Sequence, residues 1–253
     1  MKRKPLLFGL LTITVIVVTF MLKRIPQSAA YHDFADKRLL LGIPNFWNVV
    51  TNIPFLITVI IGLSLLNKHA AGKRTRTIYA FLFTGIFLTG LGSGYYHFSP
   101  DNDSLVFDRI PMTIVFMSLT AATVAEAIDI KTGYLLLFPL LIIGTGSVLL
   151  WHFTEVKGDG DLRLYGLVQF YPMLLIPLIL FLYPGQTNSG LRQLVMVVVW
   201  YIVAKLCELS DKQIYSAGNF ISGHSLKHLT AAVSTWYLVA LFMKKHSKSL
   251  SQK

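Results

Sequence analysis

An all-α, polytopic membrane bundle is the fold class this chain predicts, with a seven-helix core and one extra N-terminal transmembrane helix. Three observations predict it. The chain is 54% hydrophobic and only 14% charged, with a mean hydropathy of +0.59. A soluble domain averages about 25% charged residues. Apolar stretches near the ~20 residues a span requires recur along the whole chain. The loops between them are short and, with both termini, hold the basic residues.

Eight segments qualify as spans: 5–22, 46–66, 77–97, 108–128, 133–152, 163–183, 191–208 and 225–243. The first follows Met1-Lys2-Arg3-Lys4, which resembles the start of a signal sequence. Lys23 and Arg24 come directly after it, and the small residues Ser28-Ala29-Ala30 lie late for cleavage. An uncleaved anchor over 1–30 is favoured, with cleavage as the alternative. Residues 31–253 then form one domain. No internal repeat, low-complexity stretch or linker divides them.

Orientation follows from the basic residues. With the N-terminus inside, the inner set is Lys2, Arg3, Lys4, Lys68, Lys73, Arg74, Arg76, Lys131, Arg192, Lys244, Lys245, Lys248 and Lys253. The outer set is smaller: Lys23, Arg24, Lys37, Arg38, Arg109, Lys157, Arg163 and Lys212. The outer loops also hold Asp101, Asp103, Asp159 and Asp161. The positive-inside rule places both termini in the cytoplasm. The same distribution accounts for the net charge of +11 without a nucleic-acid partner. No obligatory protein partner is evident. The single cysteine, Cys207, excludes an internal disulfide and a cysteine-rich metal site. It reads as a buried apolar thiol.

Three histidines stand out. His97 ends the third span, and His224 and His228 open the eighth. Two imidazoles at i,i+4 leave one helix face together, and a third from another helix completes the set. Three histidines with an open position are the pattern of a catalytic zinc. The predicted topology brings His97, His224, His228 and Asp108, at the start of the fourth span, to one depth near the outer leaflet. The spacing alone is a moderate signal, because it lacks the Glu of an HExxH helix. Ser93 lies one turn before His97 on the same face. It reads equally as a small packing residue beside Gly90, Gly92 and Gly94. Asp108 reads equally as a helix N-terminal residue favoured by the macrodipole, or as the surface partner of Arg109. His32, His69 and His246 read as loop or tail residues. His152, at another outer helix end, is ambiguous. Lys205 and Glu208 lie at i,i+3 and can pair. Neither they nor Glu126 are given a chemical role.

Taken together, Ser93-x3-His97, Asp108-x2-Pro111-Met112 and His224-x3-His228 resemble the alkaline ceramidase family, part of a superfamily of seven-helix membrane hydrolases and receptors. The stretch from Phe34 to Asn45 is similar to its bacterial, alkaline phytoceramidase-like branch. Phe46-Trp47-Asn48-Val49-Val50-Thr51-Asn52-Ile53-Pro54 resembles the family's first core helix. The resemblance covers roughly residues 31–243. It implies one catalytic zinc held by His97, His224 and His228, with Asp108 as catalytic aspartate and Ser93 as catalytic serine. It further implies an amidase acting on ceramide or a related lipid in the membrane, releasing a fatty acid and a sphingoid base. The implied setting is a bacterial inner membrane, with the site near the periplasmic leaflet. Relatives carry a calcium site before the first core helix. Here that region has Asp33, Asp36 and Asn45 but also Lys37 and Arg38, so calcium is expected to be absent or weakly bound. Arg38 can instead pair with Asp36 or Asp33. Three other readings stay open: a non-catalytic receptor of the same superfamily, a transporter, and a hydrolase of another N-acyl or ester lipid. No internal repeat of the transporter kind is visible.

Overall fold

The computed structural model describes residues 3–68, 71–184 and 190–246. His69, Lys2, Lys248 and Lys253 lie outside them, as do the side chains of Arg3, Lys68 and His246. The described chain is a helical bundle. In order the helices are α1 (Arg3–Met21), the short α2 (Phe46–Val50), α3 (Ile53–Lys68), α4 (Lys73–Phe98) and α5 (Asn102–Ala127). There follow α6 (Ile130–Val156), α7 (Arg163–Leu182), α8 (Leu191–Leu209), the short α9 (Asp211–Gly218) and α10 (Gly223–His246).

Six of the eight expected spans are long and apolar enough to cross a membrane, α2 and α3 counting together as Phe46–Leu66. The seventh expected span, α8, meets the test only with α9, from which it is bent by 71°. The first covers all but the last residue of the expected 5–22, as part of the 19-residue α1. Among the residues with described side chains its apolar part is Leu6–Met21. At 1.5 Å rise per residue the whole helix is about 28 Å long, close to the hydrocarbon thickness. α1 packs on α7. Lys4 Nζ donates to the Leu182 carbonyl at 2.6 Å, and the Thr12 and Tyr171 hydroxyls meet at 2.6 Å.

α5 is the central helix, with 67% of its apolar window buried against 33–44% in the other five. It starts six residues earlier than the sequence pattern suggested. Asp101 is its N-cap: the carboxylate accepts from Ser104 N at 2.6 Å, and Ser104 Oγ accepts from Asp101 N at 3.1 Å. This reciprocal capping box satisfies two otherwise unpaired donors. Asp108 is therefore inside the helix and not at its N-terminus, where Asp101 is the cap.

Pro111 sits in α5 and lacks the N–H that would bond the carbonyl four residues back, at Phe107. Gly92 of α4 lies against that carbonyl, and a Cβ there would run into it. The missing side chain lets α4 and α5 approach closely, as small residues do between membrane helices. Gly90 meets Leu56 and Phe55, whereas Gly94 faces open space. Gly92→Ala is expected to destabilise the fold by about 1–3 kcal/mol through overpacking. Gly94→Ala should be neutral or slightly stabilising, because it removes backbone freedom and meets nothing. Thermal melts of the two variants in one detergent check this.

The segment before α2 lies over the bundle as a strap. Ile25 O accepts from Leu162 N at 2.8 Å, and Gln27 N donates to Glu155 Oε2 at 3.0 Å. Tyr31 and Phe34 pack into a cluster with Tyr96, Leu105, Trp151 and Tyr165.

A candidate metal centre at the head of an apolar cavity

The last turn of α4 and the first turns of α10 bring the three histidines together. All are buried, and His97 is 0% exposed. His97 Nε2 lies 3.2 Å from His224 Nε2 and 3.2 Å from His228 Nε2. A single Nε2–H on His97 cannot point along both contacts at once, so one shared proton satisfies this set poorly. Zinc–nitrogen bonds of about 2.0–2.1 Å in a tetrahedron set neighbouring nitrogens about 3.3 Å apart, a spacing the two His97 contacts match, and all three ligand atoms lie within 4.8 Å of one another. Among the described residues this is the one group of His, Cys, Asp and Glu side chains placed to hold a metal.

The surroundings orient the ligands. The Thr51 hydroxyl donates to the Trp47 carbonyl at 2.6 Å, so it accepts from His228 Nδ1 at 3.0 Å. That puts the His228 proton on Nδ1 and leaves its Nε2 lone pair facing the other two rings. Asn45 Nδ2 donates to the His97 carbonyl at 2.9 Å, and Asp211 Oδ1 accepts from His224 N at 2.7 Å. Ser225 Oγ reaches Asn48 Oδ1 at 2.7 Å and ties α10 to α2. Gly223 starts α10 against the Cys207 carbonyl and the Asp211 backbone, where a Cβ would collide. The Phe34 ring of the strap lies 4.7 Å from both the His97 and His224 rings.

Ser93 and Asp108 are buried and line, with His228, one cavity of about 770 Å³, open mouth included. The surface it exposes is mostly apolar, with Met112, Phe116 and Met173 in the wall, and Lys227 and Tyr201 are among its other polar lining residues. From His228 it follows α10 as far as Leu238, about 15 Å at the helical rise. A second, polar cavity of about 700 Å³ touches His224 and is lined by Asp33, Phe34, Glu208, Asp211 and Lys212. The metal group thus has an apolar space on one side and a polar one on the other.

Several sequence expectations change here. Arg109 is not a surface partner of Asp108. It is buried, with its guanidinium 4.2 Å from the Trp151 ring centre, 4.6 Å from Tyr165 and 5.4 Å from Tyr31. Nη2 donates to Gln27 Oε1 at 2.6 Å, and Nε and Nη1 have no hydrogen-bond partner. The aromatic faces supply the counter-field for those two. Successive helix residues point about 100° apart, so Asp108 and Arg109 face different neighbours. His152 bonds Asp103 at 2.8 Å, and His32 sits between Tyr96 and Asn102; neither joins the group. Lys205 and Glu208 do pair. Glu126 takes the Tyr79 hydroxyl and Lys245. Three residues of the site escaped the sequence reading. Thr51 and Phe34 carry no spacing signal. Lys227 did carry one: it lies i+3 from His224, and an ionisable group within a span is a functional candidate.

Asp36 is buried and fully engaged: Arg38 Nε and Nη2 reach its two oxygens at 2.9 and 2.6 Å. Burial pushes its carboxyl up, and the Arg38 hydrogen bonds more than reverse this, so its pKa is lowered. Hydrogen bonds from Lys212 and then Lys37 lower Asp33 to about 2.

A polytopic helical membrane protein with a buried three-histidine group at the head of an apolar cavity is the class that fold and site define. The sequence profile described as Ceramidase matches residues 40–184, and the chain belongs to that family. The match includes Ser93, His97 and Asp108 and ends before His224 and His228. No individual curated protein matches the chain. Membership implies a membrane hydrolase of amide bonds with a lipid substrate.

Proposed function

We propose that the chain is a zinc-dependent amidase that hydrolyses the N-acyl bond of ceramide or a related lipid within the membrane. The observation that carries this is the convergence of three histidine Nε2 atoms with Ser93 and Asp108 at the head of an apolar cavity, in a member of the Ceramidase family.

His97, His224 and His228 hold the zinc, which when bound supplies a Lewis acid and lowers the pKa of water. The cavity takes the acyl chain and keeps bulk water from the amide. Asp108 accepts a proton from the attacking water as its oxygen bonds to the amide carbon. When the C–N bond breaks, Asp108 returns that proton to the leaving nitrogen. The Ser93 hydroxyl donates to the oxygen that becomes negative in the tetrahedral intermediate. The products are a fatty acid and an amine. The presence of both Ser93 and Asp108 in the same cavity favours an enzyme over a receptor. Digestion of extracted lipids by purified protein, with and without a zinc chelator, tests the reading by mass spectrometry. Chelator-sensitive release of fatty acid and a sphingoid base is expected; intact lipids with the zinc-loaded protein would overturn it.

Both termini are cytoplasmic and the site lies near the outer leaflet, which the basic-residue distribution supports. The similarity of the stretch from Phe34 to Asn45 to a bacterial branch supports a bacterial inner membrane, with the site on its periplasmic side. The N-terminal helix is retained as an anchor. Cleavage after Ala30 would remove Gln27, which bonds both Glu155 and the buried Arg109. Calcium is not required, because Arg38, Lys37 and Lys212 already neutralise Asp36 and Asp33. A calcium site with Kd near 10 µM would add about 2.7 kcal/mol at 1 mM calcium. The expected result is a melting temperature that calcium or its chelation leaves within about 1 °C, in place of the several degrees such a gain would bring.

A further inference from the structure

Lys227 lies between two of the histidines in sequence, and its side chain is only 14% exposed. Its ammonium donates to Glu208 Oε1 at 2.7 Å and lies 3.5 Å from His224 Nε2, while Glu208 Oε2 accepts from Lys205. One carboxylate thus serves two ammonium groups, which leaves this cluster one positive charge in excess. Lys227 also lines the apolar cavity at the end that holds Ser93, Asp108 and His228. Among the described residues its ion pair is with Glu208, and none joins it to Asp108. Asp108 lines the same end and offsets part of that charge at longer range without an ion pair, so the buried ammonium can still take an anion that donates no proton and reaches it from the cavity. The group that an acyl chain can carry to that point is a carboxylate.

We propose that Lys227 is a specificity-determining residue that binds a carboxylate borne on the acyl lipid in the cavity. Two sources share this chemistry: the fatty acid freed by hydrolysis, and an N-acyl amino acid whose carboxylate lies beside the amide. Both sources rest on the amidase reading; carboxylate binding by Lys227 as such does not.

The test uses the full chain in detergent, with palmitate and hexadecanol as probes in a displacement assay. A charge-assisted hydrogen bond corresponds to about 10–100-fold in affinity. Palmitate should therefore bind the parent at least about 10-fold tighter than hexadecanol. Lys227→Met should lose that difference and leave hexadecanol unchanged, whereas Lys227→Arg should keep it. Glu208 retains Lys205 in the Met variant, so no acid is left alone. If that variant does not fold, Lys227→Met/Glu208→Gln removes the pair together and serves in its place. Palmitate affinity within about threefold of the parent in either folded variant overturns the proposal.

Hydrolysis separates the sources. If the substrate's carboxylate is bound, Lys227→Met raises KM for N-palmitoylglycine about 10-fold more than it raises KM for ceramide. If the product's is bound, the two KM values change by the same factor and inhibition by palmitate weakens. A zinc-loaded parent that cleaves neither lipid yet binds palmitate through Lys227 would sink the amidase reading and leave this proposal standing.

Discussion

Asp108→Asn is expected to lower lipid hydrolysis by about 10²–10⁴-fold, the usual contribution of general acid–base catalysis. The zinc content and melting temperature should stay close to those of the parent. Asn nearly matches Asp in size, and the three imidazoles remain. The fold removes the main competing account of this residue. Asp101 caps α5 and Asp108 lies inside it, buried, with no ion pair among the described residues. A substitution that changes only a cap would leave turnover almost untouched. The deciding measurement is the hydrolysis rate of zinc-loaded Asp108→Asn protein against the parent. A loss under about threefold would take Asp108 out of the mechanism.

The His224→Ala/His228→Ala variant should fall from about one zinc per chain to none, and lose activity with it. Two of the three Nε2 atoms that meet at 3.2 Å leave together, and His97 alone cannot retain the ion. Removing two buried rings also opens a void in the bundle, so a lower melting temperature is expected as well. Elemental analysis separates the two effects. Metal lost from a variant whose circular dichroism is unchanged reports the ligands rather than the fold. Active, well-folded parent protein with no transition metal would remove the metal centre altogether.

Much of this protein was legible in local chemistry. Apolar length marks the spans, because a bilayer imposes one thickness on every crossing helix. The HxxxH spacing at His224 and His228 places two rings on one face, because the helical period allows little else. His97 joined them through an argument about depth, and the bundle brings all three within reach. The ends of helices were less visible. α5 begins at Asn102 because Asp101 and Ser104 cap it, and the apolar pattern could not show a polar first turn.

Tertiary structure decided which groups meet. Gly90, Gly92 and Gly94 look alike in sequence, yet only Gly92 lies against the carbonyl that Pro111 leaves free. Arg109 beside Asp108 suggested an ion pair, and helix rotation turned it into an aromatic cage instead. Lys227 and Glu208 lie 19 residues apart, on helices whose facing sides no periodicity specifies. Phe34 reaches the metal group only because the strap folds back over the bundle. Length, period and charge are properties of one segment and can be read along it. The rotation of each helix about its axis is set by its neighbours, and on that rotation the assembly of the site depends.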